Sequence, residues 1–325
     1  MRVLAAVAAL TAVALLSLAI GTKPIPIADV LGGLLHDDGS EQAAIVRELR
    51  VPRTLVGLSV GIALGLAGAL MQALTRNPLA DPGLLGVDAG AAAAVVVAIA
   101  VLGLASPAAY VWFAFAGAAA ASIVVYMLGS RGRAGATPVR LALAGTAVAA
   151  ALTAFTNGMT LLDPLTFDDF RFWSVGALGG RDLGILADVG PFLLAGALLA
   201  LALARPLNAL ALGDDAGRGL GAHVARTRAL GAVAITLLCG GATAVAGPIG
   251  FVGLTVPHAA RAIAGPDQRR VLAYSVVLAP ILLIGADVIG RVVVRPGELE
   301  VGIVTALVGA PVFIALVRRT RIAQL

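Results

Sequence analysis

Charge, cysteine and lysine are all scarce in this chain, and each scarcity excludes something. Only 13% of the 325 residues are charged and 60% are apolar, with a mean hydropathy of +1.00, whereas soluble domains carry about 25% charged residues. An ordinary water-soluble fold is excluded, and a bilayer is the solvent that accounts for the composition. The single cysteine, Cys239, lies in an apolar run. That rules out a disulfide framework or a cysteine-based metal site and leaves a small packing residue. The only lysine is Lys23, between Thr22 and Pro24, so the Gly-Lys-Ser/Thr phosphate loop of a nucleotide-hydrolysing protein has nowhere to form. ATP hydrolysis by this chain through such a loop is excluded.

At about 20 residues per crossing plus connections, this length accommodates roughly ten membrane helices. It predicts one integral unit, residues 1–325, rather than a soluble domain with an anchor. Apolar stretches of spanning or near-spanning length fall at about 3–20, 54–75, 85–104, 108–128, 138–160, 183–204, 224–246, 249–264, 270–290 and 301–317. The first follows Met1-Arg2 and has small residues near Ser17-Ala19, a pattern that a retained helix shares with a cleaved leader. Retention is the expectation. The pI near 10.3 would suggest a nucleic-acid partner in a soluble protein, but here the basic residues sort by side of the membrane, and no nucleic acid is expected. With the N-terminus inside and the helices alternating, the inner connections hold 15 of the 23 basic residues: Arg2, Arg76, Arg131, Arg133, Arg140, Arg205, Arg218, Arg226, Arg228, Arg261, Arg269, Arg270, Arg318, Arg319 and Arg321. The other side keeps 8, together with 13 of the 18 acids. Basic excess marks the cytoplasmic side, so both termini are predicted to be cytoplasmic.

Glycine is abundant, and Gly57, Gly61 and Gly65 recur every four residues in the second stretch. This leaves a groove on one helical face, suited to close helix contact. The same run contains Gly57-Leu58-Ser59-Val60-Gly61, a match to the G-x-S-x-G nucleophile pattern without the strand–turn–helix context that exposes the serine, so a hydrolase is not expected. Two connections are too long and too patterned to be plain turns: residues 21–53 on the outer side and 205–223 on the inner side. The latter, RPLNALALGDDAGRGLGAH, joins a short apolar stretch to charges and reads as a small helix at the cytoplasmic surface.

The most distinctive local pattern is Arg50-Val51-Pro52-Arg53 before the second helix and Leu74-Thr75-Arg76-Asn77-Pro78-Leu79-Ala80-Asp81-Pro82-Gly83-Leu84-Leu85-Gly86 after it. Pro78 and Pro82 break the helix, while Asn77 and Asp81 each precede a proline, where extended backbone is favoured and a side-chain oxygen can cap the next helix. A rigid turn between two helices accounts for these residues by itself. Taken in order with Leu212-Gly213-Asp214-Asp215, Arg218-Gly219-Leu220-Gly221, Gly247-Pro248-Ile249-Gly250-Phe251, Val256-Pro257-His258 and Gly309-Ala310-Pro311-Val312-Phe313, they make the chain resemble the FecCD-type permease family. Its members are the membrane subunits of ABC importers for ferric siderophores, haem and cobalamin. The resemblance runs from about residue 45 to the C-terminus.

The resemblance implies an all-α, ten-helix subunit of the type II ABC importer fold. It implies a second permease copy or sister permease, two ATP-binding subunits that hold ATP and magnesium, and a periplasmic or lipid-anchored substrate-binding protein, with no cofactor on this chain. It assigns the 205–223 segment to ATPase coupling, with Asp214, Asp215 and Arg218 facing the partner, Leu212 and Leu220 as apolar anchors, and Gly213 and Gly221 at the ends. Gly217 and Gly219 are weak helix formers there. On the outer face it assigns Arg50, Arg53, Arg291 and Arg295 to gripping acids of the binding protein; without it they read equally well as snorkelling helix-end charges. Asp287, four residues before Arg291, is expected to pair with it. Asp188 reads as interfacial.

For the cargo path the resemblance points to the fifth helix and the short helix after it, hence Thr153, Thr156, Asn157, Met159 and Leu162, with Phe172-Trp173 and Gly176 following. Ordinary interhelical hydrogen bonding explains those Thr and Asn residues equally well. His36, His223 and His258 are scattered, so no haem or metal ligation is expected. The Asp81-Pro82-Gly83-Leu84-Leu85-Gly86 form leans toward one half of a heterodimeric siderophore permease. The rival function is a proton-coupled secondary transporter, which would need intramembrane acids that work without partners.

Overall fold

The computed structural model describes residues 2–35, 39–104, 106–131 and 137–319. His36, Arg133 and Arg321, and the side chains of Arg2 and Arg319, fall outside the described residues. Among those described, all regular structure is helical. In chain order come α1 (Arg2–Ala19), α2 (Ile27–Leu35), α3 (Glu41–Ala44), a π turn (Ile45–Arg50), α4 (Val51–Thr75) and a 3₁₀ turn (Pro82–Leu85). Then follow α5 (Val87–Leu102), α6 (Pro107–Ser130), α7 (Pro138–Leu162), α8 (Pro164–Ser174), α9 (Leu183–Ala202), α10 (Ala204–Ala211) and α11 (Asp214–Gly219). The last part holds α12 (Val224–Ile235), a π turn (Thr236–Gly240), α13 (Gly241–Ala246), α14 (Val252–Ala264), α15 (Gln268–Val293) and α16 (Val301–Arg319).

Six rods are long and apolar enough to cross a membrane: Glu41–Thr75, Pro107–Ser130, Pro138–Leu162, Leu183–Ala202, Val224–Ala246 and Gln268–Val293. Leu4–Ala19, Val87–Leu102 and Val301–Ala315 are shorter apolar helices. The chain is therefore a multi-pass, all-α membrane protein. Each apolar stretch predicted from the sequence is helical, but the second begins earlier than expected. Its rod starts at Glu41 and runs 35 residues, so Arg50-Val51-Pro52-Arg53 lies inside a continuous helix. Proline lacks an N–H and its ring crowds the carbonyl four residues back. The π turn just before it relieves that crowding: Val51 N–H donates to the Val46 carbonyl, five residues back.

α4 is the spine. Every residue from Ala63 to Leu74 is buried, which marks a helix surrounded by protein on all sides. The glycine groove faces α15: a Cβ on Gly61 would stand 2.7 Å from Pro280 Cα, and one on Gly65 would stand 2.6 Å from Ala279 Cβ. One turn further, a Cβ on Gly68 would come within 1.9 Å of the Gly253 carbonyl oxygen on α14. Backbones this close exclude every side chain, which is how small residues let membrane helices pack where no hydrophobic effect drives them. Ser59 lies within this helix and not on a turn, as the missing strand–turn–helix context implied. By contrast α7, also 25 residues long, buries only Gly145 and Thr156.

The glycine–proline motif at 247–250 has a steric origin. Gly247 has φ 77°, and the Trp173 carbonyl oxygen lies 2.3 Å from where a Cβ would be, so both its backbone and its surroundings require glycine. Trp173 itself is fully buried, so the end of α8 is wedged against the turn that leads into α14.

Candidate functional site

One end of the bundle carries a buried ion network. Asp287, on α15 and 1% exposed, accepts hydrogen bonds from Arg291 on its own helix, with Nε at 2.9 Å. It also accepts from Arg53 on α4, with Nη2 at 2.8 Å and Nε at 3.0 Å. Two guanidinium groups on one carboxylate leave a surplus positive charge, and Glu298 answers it by accepting from Arg53 Nη1 at 2.7 Å. Burial holds the nearby Glu300 carboxyl above the ordinary glutamate range, with the Arg53 charge opposing.

The remaining donors of these arginines satisfy the chain as it leaves α1. Arg291 Nη1 donates to the carbonyls of Ser17 at 2.8 Å and Ile20 at 3.1 Å, and its Nη2 to the Ser17 hydroxyl at 2.9 Å. Arg50 Nη1 donates to the Leu18 carbonyl at 2.6 Å, and its Nη2 to the Lys23 carbonyl. Arg295 donates to the Gly21 carbonyl at 2.8 Å. The last carbonyls of a helix have no partner within it, and cations are favoured at that negative end.

Arg50 and Arg291 turn their side chains toward the bundle, with Arg291 only 2% exposed, and together with Arg53 they line a cavity of about 500 Å³ at this end. The expected pairing of Asp287 with Arg291 is present, and Arg53 joins it from 234 residues away in sequence. Arg295 alone of the four is well exposed. Sequence reasoning missed Ser17, Thr54, whose hydroxyl lies 2.8 Å from that of Ser17, and Glu298. None belongs to a local motif that would have marked it.

The opposite end holds the turn after α4 and the 205–223 segment. Asn77 Oδ1 accepts from Leu79 N–H at 2.9 Å, and Asp81 Oδ1 accepts from Gly83 N–H at 2.8 Å. Asp81 thereby caps the 3₁₀ turn that starts at Pro82; Asn77 holds the bend around Pro78. Burial raises the Asp81 carboxyl above its ordinary range against that hydrogen bond.

The 205–223 segment folds as two short helices, α10 and α11, divided at Gly213. Gly213 adopts φ 102°, open to glycine and scarcely to any other residue. Each helix is hydrogen-bonded to the core by one side chain, and α10 also buries Leu207 and Leu210 in it. Asn208 Oδ1 accepts from Gln268 N–H at 2.8 Å while its Nδ2 donates to Asp267 at 2.8 Å, which joins α10 to the start of α15. Asp214 Oδ1 accepts from Arg228 of α12 at 2.9 Å and from Arg76, at the end of α4, at 3.3 Å. Asp214 is thereby paired within its own chain, with its side chain 26% exposed. Asp215, with its side chain 98% exposed, faces outward beside Arg218, which donates to it at 2.8 Å. Leu212 and Leu220 are each 66% exposed, and Gly221 closes the segment at φ 83°.

Between the two ends, α7 presents an open face. Thr153, Asn157 and Leu162 are exposed on it, Leu162 at 83%. Thr156 instead turns inward, 5% exposed, and Met159 packs against the core, so these two do not share that face. At the end of α7, Asp163 Oδ2 accepts from Thr166 at 2.6 Å and sets the bend into α8. That hydrogen bond holds the Asp163 carboxyl below its ordinary range. Asp188 is exposed, as expected of an interfacial residue.

A profile of the FecCD transport family matches residues 9–319. The chain belongs to the FecCD transport family. It is 52% identical over 305 residues, covering 94% of this chain and 91% of the relative, to the ferric enterobactin transport system permease protein FepD of Escherichia coli K12. It is 42% identical, over 87% of this chain and 85% of the relative, to the probable siderophore transport system permease protein YfiZ of Bacillus subtilis 168. Among solved structures, an inward-facing conformation described as of a metal-chelate type ABC transporter superposes with a TM-score of 0.85 at 25% identity, covering 98% of both chains. Membership in FecCD places the buried Asp287 network and the Asp214 joint at opposite ends of a transport subunit.

Proposed function

We propose that this chain is the permease subunit of an ABC importer, carrying a ferric siderophore, or a related iron, haem or cobalamin-type cargo, across the inner membrane by alternating access. The observation that carries the reading is the tethering of α10 and α11 to three core rods. A displacement of α11 pulls on α4 through Arg76 and on α12 through Arg228; a displacement of α10 pulls on α15 through Asn208. α4 and α15 are in turn locked together at the far end by Asp287. Motion imposed at one end therefore reaches the other through a stiff pair of helices.

In this reading the whole chain acts as one ten-helix permease unit of the type II fold, with both termini cytoplasmic. Two ATP-binding subunits, which hold ATP and magnesium, seat on the exposed Asp215, Arg218, Leu212 and Leu220. A substrate-binding protein docks at the Asp287 end, where Arg295 and Lys23 are exposed cations, and a second permease faces α7, with Thr153 and Asn157 toward the path. The chain itself binds no cofactor. The rival secondary transporter needs an intramembrane acid with a job of its own; Asp287 is engaged by two arginines and Asp88, on α5, accepts from the Thr243 hydroxyl at 2.8 Å, and the relatives give that reading no support.

Asp214→Asn tests the joint in the reconstituted importer. Basal ATP hydrolysis is expected to persist while cargo-driven transport falls about fivefold or more, the scale of a typical coupling free energy. Normal transport by the variant would remove Asp214 from the coupling path. Uptake by vesicles that contain this chain alone would overturn the importer reading itself.

A further inference from the structure

We propose that the joint ends of α9, α10 and α12 form a binding site for an anionic phospholipid of the surrounding membrane. A cavity of about 470 Å³ opens there. Its inner wall is Leu199 and Leu203 beside Leu230, and its rim carries Arg205 and Arg226. A second cavity of about 560 Å³ shares Arg226 and adds Arg218. Among the described residues, no aspartate or glutamate lines either one.

The two rim arginines have no ion pair or hydrogen bond among the described residues, although both are exposed. The acids nearby in sequence are already engaged: Asp214 accepts from Arg76 and Arg228, and Asp215 from Arg218. An apolar slot with two unanswered cations at its mouth matches a lipid, whose phosphate meets guanidinium groups in bidentate fashion and whose acyl chain needs an apolar wall. The position fits as well. Leu199 lies inside the rod that ends at Ala202, and Leu230 inside the rod that begins at Val224, so the apolar wall belongs to the membrane-crossing helices. The site rests on the membrane crossing of α9 and α12; Leu220 and His223 also line the first cavity and Arg218 the second, so it adjoins the face that seats the ATP-binding subunits in the proposed function.

The test is native mass spectrometry of the assembled importer, with phosphatidylglycerol and phosphatidylcholine as competing probes. The wild type is expected to retain phosphatidylglycerol preferentially. Removing two cations that each contribute about 1 kcal/mol should weaken that retention roughly 30-fold in R205Q/R226Q. Each single variant should weaken it about fivefold, which keeps the test available if the double variant assembles poorly. R140Q, at an exposed arginine on another connection, should change nothing. Equal retention of the two lipids, or undiminished phosphatidylglycerol retention in the variants, would overturn the site. Displacement of phosphatidylglycerol by millimolar inorganic phosphate would overturn the lipid assignment in favour of a plain phosphate site. Loss of the ATP-binding subunits from the variants with lipid retention intact would reassign the arginines to subunit docking.

Discussion

α4 and α7 have the same length and similar alanine-rich, glycine-containing sequences, yet one is enclosed by protein from Ala63 to Leu74 and the other buries two residues. In a bilayer both are tolerated, because lipid satisfies an apolar side chain as well as a neighbouring helix does. What separates them is where glycine falls. On α4, Gly57, Gly61, Gly65 and Gly68 each meet another helix within contact distance, whereas on α7 only Gly145 does so and Gly158 meets nothing. α4 is designed against contacts within the chain. α7 is left open to whatever the chain associates with.

A single pair of substitutions should sharpen this contrast most. Gly68→Leu would drive a side chain into the Gly253 backbone and is expected to cost more than about 3 kcal/mol, beyond the usual range for overpacking, with loss of the monodisperse protein in detergent. Ala150→Leu, on the exposed face of α7, should leave thermal unfolding of the isolated chain within about 0.5 kcal/mol while impairing association with a second permease. If both variants are equally destabilised, α7 is not an open face.

Next in size is the link that makes α4 a fixed partner of α15. Asp287→Ala leaves Arg53 and Arg291 without their shared carboxylate in a buried setting, and removing one member of such a group costs about 3–5 kcal/mol. Denaturant titration of the variant should show it, and Asp287→Asn should recover only a small part of the loss, because its amide keeps one acceptor oxygen and turns its own N–H groups toward the remaining arginine donors. Equal stability of Asp287→Ala and wild type would mean that water or Glu298 replaces Asp287.

The smallest effect concerns the tie between α10 and α15. The hydrogen bond from Asn208, with a further one from Arg269 N–H, holds the Asp267 carboxyl below its ordinary range. Its folded pKa is depressed, so its contribution to stability is present at neutral pH and is lost as pH falls from the ordinary aspartate range through the folded value. Thermal unfolding between about pH 5 and pH 3 should show this slope, and Asn208→Ala should flatten it. An unchanged slope in that variant would put the acid sensitivity elsewhere.

Much of this architecture is legible in the sequence, and for a physical reason. A bilayer forces each crossing to be a long apolar run with its backbone satisfied internally, so helix positions can be read from composition alone. The Asp287–Arg291 pair was legible because both residues lie on one helix face, four apart. What was not legible depends on helices distant in sequence. Arg53 meets Asp287 only because the glycine groove brings α4 onto α15, and Asp214 is paired within the chain only because Arg76 and Arg228 converge on it. On α7 the polar residues were found but not their directions. With alanine on every side no apolar stripe marks the buried face, and Thr156 and Asn157, one position apart, point to opposite surroundings.

Asp214 meets both arginines through a single oxygen, at 2.9 Å from Arg228 and 3.3 Å from Arg76. The Arg228 contact sits at the usual N–H···O length of about 2.9–3.0 Å, whereas the Arg76 contact lies just beyond the ordinary range of about 2.7–3.2 Å and is the weaker of the two. The junction consequently has a built-in order of release: under tension Arg76 lets go first, freeing the spine while Arg228 still anchors α11 to its neighbour. It behaves as a fuse with two ratings.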